Sequence, residues 1–224
     1  ARRDDAVARL ERFTGDAAHE LRSPVAAIRA QAEVAVAHPD PALAEETLKS
    51  IVDEAARLSS LLSALLALAR ADSGQRPPAQ PVDLVAAARA AVDRAHSTAP
   101  EDGPAITLAA PTPAVVAATP SEVALVLDNL IGNAVRYAAG LVRVGVLPAG
   151  RWVRLVVEDD GPGIPLADRR RVFDRFVRLN PEAGGGAGLG LALVEALVHG
   201  RGGTVSAGES GAGGARFEVR WPSP

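Results

Sequence analysis

The chain has 224 residues, a formal net charge of −3 at pH 7 and a pI near 5.9, which argues against a nucleic-acid binder that relies on bulk positive charge. Hydrophobic residues make up 48% of it and aromatic residues only 3%, a mixture that favours closely packed helices over an aromatic-rich sandwich. It has no Cys, which excludes disulfides and thiolate sites and fits a reducing compartment, and its apolar runs, such as Ala64–Ala69, fall short of the ~18–20 residues of a membrane span.

Residues 1–72 are predicted to form two helices on either side of a turn at His38–Pro41. In both helices apolar residues recur every three or four positions, as in a coiled coil or helical bundle. The seam positions are Leu10, Thr14, Ala17, Leu21, Pro24 and Ile28 in the first helix and Ala44, Leu48, Ile51, Ala55, Leu58, Leu62, Leu65 and Ala69 in the second. This pattern predicts an all-α helical hairpin. Because one hairpin leaves a side of its seam exposed, we expect a homodimer with a four-helix bundle.

Residues 73–81 are rich in proline and turn formers and are predicted to be a linker. Residues 82–224 mix helices and strands without regular βαβ alternation, which predicts a second domain that is an α+β sandwich. The predicted helices are Leu84–His96, Ser121–Ala138 with Ser121 as N-cap, and one that follows Gly190 and runs to about Val198. The predicted strands are Ile106–Leu108, Ala114–Ala118, Leu141–Leu147, Trp152–Glu158, Thr204–Ala207 and Ala215–Arg220.

Two glycine-containing segments of the second domain have the composition of a ligand site. Asp159 ends a predicted strand and is followed by Gly161 and Gly163, which let a ligand approach the backbone; an ordinary tight turn is the alternative. A glycine-rich run at residues 184–190 opens a helix, where backbone N–H groups can cradle phosphate, although a flexible loop has the same composition. No Gly-Lys-Ser/Thr occurs and no strand directly precedes the run, which excludes a P-loop and disfavours a Rossmann site.

A third segment places polar side chains on one face of an otherwise apolar helix. Asn129, Asn133 and Arg136 are three or four residues apart, and Tyr137 lies beside them. Carboxamide oxygens suit a hard cation such as Mg²⁺ that is shared with phosphate. The alternative is a pair of interior Asn residues with ordinary hydrogen bonds.

Taken together, these segments resemble four boxes of the sensor histidine kinases, in that family's order and approximate spacing. They are the N box Asn129–Asn133, the first glycine box Asp159–Gly163, the F box Phe173–Phe176 and the second glycine box Gly186–Gly190. The resemblance implies that the second domain is an ATP-binding α+β sandwich of the Bergerat type. Gyrase-type topoisomerases, heat-shock chaperones and mismatch-repair ATPases share that fold.

The resemblance implies ATP and Mg²⁺ as bound groups. Asp159 would accept the adenine amino group, Asn133 would ligate Mg²⁺, Tyr137 would stack by the base, and the backbone at Gly188 and Gly190 would hold phosphates. The implied binding residues are Asn129, Asn133, Arg136, Tyr137, Asp159, Gly161, Gly163, Arg178, Gly186, Gly188, Leu189 and Gly190.

The resemblance also predicts a lid over the nucleotide. Phe173 and Phe176 would anchor this lid, which is short and glycine-rich at Asn180–Ala187. Arg178 is a candidate phosphate contact. Arg136 stands where the family usually has Lys, a change that keeps the charge but alters the donor geometry.

In the first helix, the segment Phe13–Pro24 resembles the family's H box. His19 lies ~160–200° round the helix from the seam positions Ala17 and Leu21, so its side chain is predicted to face water. The resemblance implies that His19 is the phosphoacceptor and that the adjacent Glu20 is its orienting base.

Two further H-box positions have predicted effects. Pro24 lacks the N–H that would bond the Glu20 carbonyl, which softens the helix where His19 must approach ATP. Ser23 stands where the family has Thr or Asn, four residues after His19. The resemblance implies that Ser23 positions a water in a phosphatase reaction.

The reaction implied by the resemblance moves the γ-phosphoryl group of ATP to His19 and then to an aspartate of a response-regulator receiver domain. Because such kinases are usually membrane-anchored receptors and the chain begins with Ala1 rather than Met, we expect it to be the cytoplasmic portion of a longer protein. The alternatives are a Bergerat-type ATPase and a catalytically silent dimeric scaffold. Hydrolysis is disfavoured because Asn129, an amide, stands where those ATPases carry a glutamate base, and a scaffold is disfavoured because all four boxes are intact.

Overall fold

The computed structural model describes residues 2–40, 42–74, 76–100, 102–110, 112–180 and 186–224, without the side chains of residues 2–13 and 16. The N-terminal part is a helical hairpin, as predicted. Its helices are α1 (Arg2–Ala37) and α2 (Ala44–Asp72), and α1 is continuous through Pro24. No helix in the described part of the chain has the length and apolar character needed to cross a membrane.

The apolar seam of the hairpin is only partly covered within one chain. Ala17 and Pro24 are buried, and Ile51, Leu58 and Leu65 are half-buried. Other predicted seam positions on α2 are exposed, namely Ala44, Leu48, Ala55, Leu62 and Ala69. The hairpin therefore keeps an uncovered apolar face, in line with the predicted exposed side of the seam.

The rest of the chain is an α+β sandwich, as predicted. Its helices are α3 (Leu84–Thr98), α4 (Pro120–Tyr137) and α5 (Gly190–Gly200). Its strands are β1 (Gln80–Asp83), β2 (Ala105–Ala109), β3 (Val115–Ala118), β4 (Leu141–Ala149), β5 (Trp152–Asp159), β6 (Thr204–Glu209) and β7 (Ala215–Pro222). The strand order of the main sheet is β2-β4-β5-β7-β6, with β2 and β4 parallel and the other pairs antiparallel. Strand β1 pairs with β3 in a separate two-stranded sheet.

One face of the main sheet is buried against helices. Alternate residues of each strand point to that face. In β5 these are Val153, Leu155, Val157 and Asp159. They pack against α4, whose apolar residues repeat every three or four positions from Val123 to Ala134. The same face therefore carries both the core and, at the end of β5, a buried carboxylate.

Two details differ from the sequence predictions. The N-cap of α4 is Thr119, not Ser121: the Thr119 hydroxyl accepts from Glu122 N at 3.2 Å, and the Glu122 carboxylate accepts from Thr119 N at 2.8 Å. This reciprocal capping box needs Glu at the third helical position, which only a helix that begins at Pro120 provides. Strand β1 begins at Gln80, so the last two residues of the predicted linker belong to the sheet.

Candidate active site

A cavity of about 390 Å³ lies between the hairpin and the sandwich. The sandwich contributes most of the predicted binding residues to its lining, namely Asn129, Asn133, Arg136, Tyr137, Asp159, Gly163, Arg178, Gly186, Gly188, Leu189 and Gly190. The structure thus brings residues separated by up to 61 positions in sequence, from Asn129 to Gly190, around one cavity. Residues 181–185 of the predicted lid lie outside the described part of the chain.

The Asp159 carboxylate is buried, with only 4% of the residue exposed. Its Oδ1 accepts hydrogen bonds from Gly161 N and Ala215 N, both at 3.0 Å. Oδ1 takes both of the side-chain hydrogen bonds described for this residue, so Oδ2 is the oxygen available to a ligand donor in the cavity. A carboxylate fixed by backbone N–H groups in this way is pre-organised to accept from an amino group.

Sequence reasoning missed the support behind Asp159. Ser210 donates its hydroxyl to the Asp159 backbone carbonyl at 2.6 Å, and its Oγ accepts from Gly214 N at 3.1 Å. A Cβ on Gly214 would lie 2.2 Å from the Asp159 carbonyl oxygen, so only glycine fits there. The glycine cluster of the β6–β7 turn was the available signal, because closely packed backbones need residues without side chains.

Asn129 is oriented by its own helix. Its Nδ2 donates to Leu125 O at 2.7 Å, which turns Oδ1 toward the second glycine box. A Cβ on Gly190 would lie 2.4 Å from that Oδ1. The absence of a side chain at Gly190 therefore lets the N box and the phosphate loop come together.

The F box is tied to the second glycine box. Phe176 N donates to Gly188 O at 2.9 Å, and a Cβ on Gly188 would lie 2.8 Å from the backbone of Phe176. Phe173 is buried edge-on against Phe217, with ring centroids 6.3 Å apart. The two segments that flank residues 181–185 are thus fastened to the sheet and to each other.

Asp160, which follows the buried carboxylate, joins two walls of the cavity. Its Oδ1 accepts from the backbone N–H groups of Gly140, Leu141 and Ala139 at 2.9–3.0 Å, and these hydrogen bonds hold the pKa of Asp160 below its ordinary value. A Cβ on Gly161 would lie 2.1 Å from Tyr137 O. The end of α4 is therefore locked against the end of β5. Sequence reasoning had assigned no role to Asp160.

The hairpin forms the opposite side of the cavity. Glu20 lines it, whereas His19 and Ser23 do not and have exposed side chains. The exposure predicted for His19 is confirmed. A step of one residue turns a side chain by about 100° round a helix, so the Glu20 face meets the cavity while His19 points past it.

These features define a two-module protein in which a helical hairpin and an α+β sandwich line one cavity. Residues 9–74 match the family model of the His Kinase A (phospho-acceptor) domain. Residues 118–224 match that of the histidine kinase-, DNA gyrase B- and HSP90-like ATPases. The chain belongs to the sensor histidine kinase family.

Individual relatives agree with this assignment. The probable sensor histidine kinase TcrY of Mycobacterium tuberculosis is 37% identical over 95% of this chain and 46% of its own length. The ATP-binding domain of PrrB from the same organism is 31% identical over 66% of this chain and 99% of that structure, with a TM-score of 0.56. The histidine kinase AdeS of Acinetobacter baumannii has the same fold over 91% of this chain and 97% of that structure, at 24% identity and a TM-score of 0.75. The chain spans about half the length of the curated relatives it matches.

Proposed function

We propose that the chain is the catalytic core of a sensor histidine kinase and that it phosphorylates His19 from ATP. A bond forms from a His19 ring nitrogen to the γ-phosphorus, and the bond from that phosphorus to the bridging oxygen breaks, so ADP leaves. The observation that carries this proposal is the shared cavity. The N box and both glycine boxes line one side of it, and Glu20, the neighbour of His19, lines the other.

The buried end of the cavity suits the adenine ring. Asp159 Oδ2 accepts the adenine amino group, and Tyr137 lies beside the base. The N-terminus of α5 and the backbone of the second glycine box hold the phosphates. Asn129 is an amide and cannot act as a general base, which disfavours ATP hydrolysis as the main reaction.

The residues present also fit Mg²⁺. Among the described residues, no group of three or more His, Cys, Asp or Glu side chains could hold a metal ion. The available donors are carboxamide oxygens, which suit a hard cation that completes its shell with phosphate and water. Asn133 would ligate it, with Asn129 Oδ1 nearby on the same helix face. When bound, Mg²⁺ would neutralise charge on the phosphates.

Incubation with γ-labelled ATP and Mg²⁺ tests the proposal. We expect acid-labile, base-stable label on the wild type and on the His38→Gln control, and none on His19→Gln, which should still bind nucleotide. Asp159→Asn should weaken nucleotide binding in calorimetry, since an amide is a weaker acceptor than a carboxylate. Comparable label on His19→Gln would contradict the assignment of the phosphoacceptor.

The partners follow from the same chemistry. The phosphoryl group passes from His19 to an aspartate of a response-regulator receiver domain, and a second copy of the chain covers the exposed apolar side chains of the hairpin. These include Val25, Val34, Leu48, Val52, Leu62 and Leu66. We further propose that the chain is the cytoplasmic portion of a membrane receptor, and that it also dephosphorylates its partner with the help of Ser23.

A further inference from the structure

Arg57, on the hairpin, lines the same cavity as the N box and the glycine boxes. It belongs to a stripe on α2 with Leu61, Ala64 and Leu68, which are spaced by four, three and four residues and so share one helix face. Leu61 and Leu68 are buried in the common core of the molecule. The stripe therefore anchors α2 against the sandwich and places Arg57 at the cavity.

The side chain of Arg57 is about half-exposed where it lines the cavity. Its Nη1 forms an ion pair with Glu54 Oε1 at 3.8 Å, and 48% of its side chain is exposed. The other arginines that line the cavity, Arg136 and Arg178, belong to the sandwich. Among the described residues, Arg57 is thus the cation that the hairpin contributes to this cavity.

The direction of the nucleotide indicates which group Arg57 meets. Adenine lies at Asp159, and the phosphates run along the second glycine box. Because the γ-phosphoryl group must reach a histidine on the hairpin, the terminal phosphate is the part of the nucleotide that faces the hairpin. A guanidinium offers several N–H donors in a planar fork that matches phosphate oxygens.

We propose that Arg57 is a positioning residue that binds the terminal phosphate of ATP across the boundary between hairpin and sandwich. This inference rests on the proposed function. ATP then strengthens the contact between the two parts of the chain, and by linkage that contact strengthens ATP binding. ADP lacks the γ-phosphate, so the contact is lost after transfer.

The test compares the affinities of a non-hydrolysable ATP analogue and of ADP, both with Mg²⁺, by calorimetry on the full chain. We expect Arg57→Ala to weaken analogue binding about tenfold and ADP binding less than twofold, and Arg57→Lys to recover part of the loss because it keeps the charge. Labelling from ATP should slow in parallel. The matched control is Arg29→Ala, which removes an exposed arginine of α1 that pairs with Glu33.

The inference is overturned if Arg57→Ala leaves the ratio of the two affinities unchanged, whether neither nucleotide loses affinity or both lose it by the same factor. A merely structural role affects both ligands alike. Should Arg57→Ala fail to fold, Arg57→Lys decides: an affinity ratio equal to that of the wild type overturns the inference, and an intermediate ratio supports it. A wild type that binds neither nucleotide overturns the proposed function as well. If the wild type binds nucleotide and is labelled, but the affinity ratio in Arg57→Ala equals that of the wild type, only the role of Arg57 is excluded and the proposed function stands.

Discussion

Single residues fix the walls of the nucleotide cavity by bonding to backbone rather than to other side chains. Asp160 does so with its Oδ1, which accepts hydrogen bonds from the three successive backbone N–H groups of Ala139, Gly140 and Leu141, just after α4. Because α4 carries the N box and β5 ends at Asp159, a small shift between these elements would separate the groups that we propose to bind the phosphates and the base.

Replacing Asp160 by Asn should lower the thermal stability at neutral pH and weaken nucleotide binding. The pKa of Asp160 is lowered in the folded protein. Its contribution to folding stability is therefore fully present above the unfolded pKa of ~3.9 and is lost as the pH falls through the folded pKa. The difference in melting temperature between wild type and variant should therefore shrink below pH ~4. Asp93→Asn, at an exposed position on α3, is the control, and parallel curves for wild type and Asp160→Asn at all pH values would contradict this role.

Ser23 is exposed and lies one turn after His19 on the same face of α1. Its hydroxyl lacks the methyl group that restricts the rotamers of Thr, so it holds a water less firmly. We expect Ser23→Ala to remove a weak phosphatase activity and Ser23→Thr to raise it, with His19 labelling retained in both. The assay is loss of phosphate from the phosphorylated partner with Mg-ADP, and equal rates for wild type and Ser23→Ala would exclude this role.

At the scale of elements, the start of α4 joins three segments. The Glu122 carboxylate completes the capping box with Thr119 and also accepts from Arg201, which directly follows α5, at 2.8–3.2 Å. Arg201 Nη2 donates to the carbonyl of Pro77 at 2.8 Å as well. The side chains of Arg201 and Glu122 are only 9% and 12% exposed, so this ion pair is shielded from solvent.

Removing one partner of this pair should be costly because the other charge stays buried. We expect Glu122→Ala to lower the free energy of unfolding by about 2–4 kcal/mol, from the lost pair and the lost cap together. Arg94→Ala, which breaks the half-exposed pair with Asp128, should cost no more than ~1 kcal/mol. Chemical denaturation measures both, and similar losses in the two variants would show that burial of the Glu122 pair contributes little.

The elements themselves were largely predictable, since periodicity and turn residues are local properties. Strand β1 was missed because Pro81 and the polar residues around it have the composition of a linker, and its pairing with β3 depends on residues about 35 positions later. The N-cap of α4 was misplaced by two residues although its signal was local: Thr119 followed three residues later by Glu122 is a capping-box sequence.

At the scale of the whole molecule, hairpin and sandwich are in contact. Leu68 of α2 is 1% exposed within the common core, and Arg175 donates two hydrogen bonds to Asp72 at 2.7–2.8 Å. Neither Leu61 nor Leu68 belongs to the predicted seam, because α2 carries two neighbouring apolar stripes at three-four spacing and the sequence prediction followed only one of them. The boxes predicted most of the cavity lining, but the contribution of Arg57 depends on how the two parts meet, which no local pattern encodes.

The exposed apolar face of α2 leads to a prediction about assembly. Leu62 is exposed in the single chain, so Leu62→Asp should leave the protomer folded and place a charge in the dimer interface. Light scattering should give about twice 23.0 kDa for the wild type and 23.0 kDa for the variant. Leu166→Asp, at an exposed leucine of the sandwich, is the control and should stay dimeric. A dimeric Leu62→Asp would place the interface elsewhere.

The hydrogen bond from Arg201 to Pro77 also sets the length of the tether between the two parts. From Ser73 to the first residue of β1 the chain reaches at most ~25 Å, but with Pro77 held on the sandwich only the four steps from Ser73 remain, a reach of ~14 Å. The volume that an undocked sandwich can sweep grows with the cube of that reach, so releasing Pro77 enlarges it about fivefold and dilutes the proposed nucleotide site around His19 by the same factor. One arginine thereby sets the local concentration at which the proposed phosphate donor and acceptor meet.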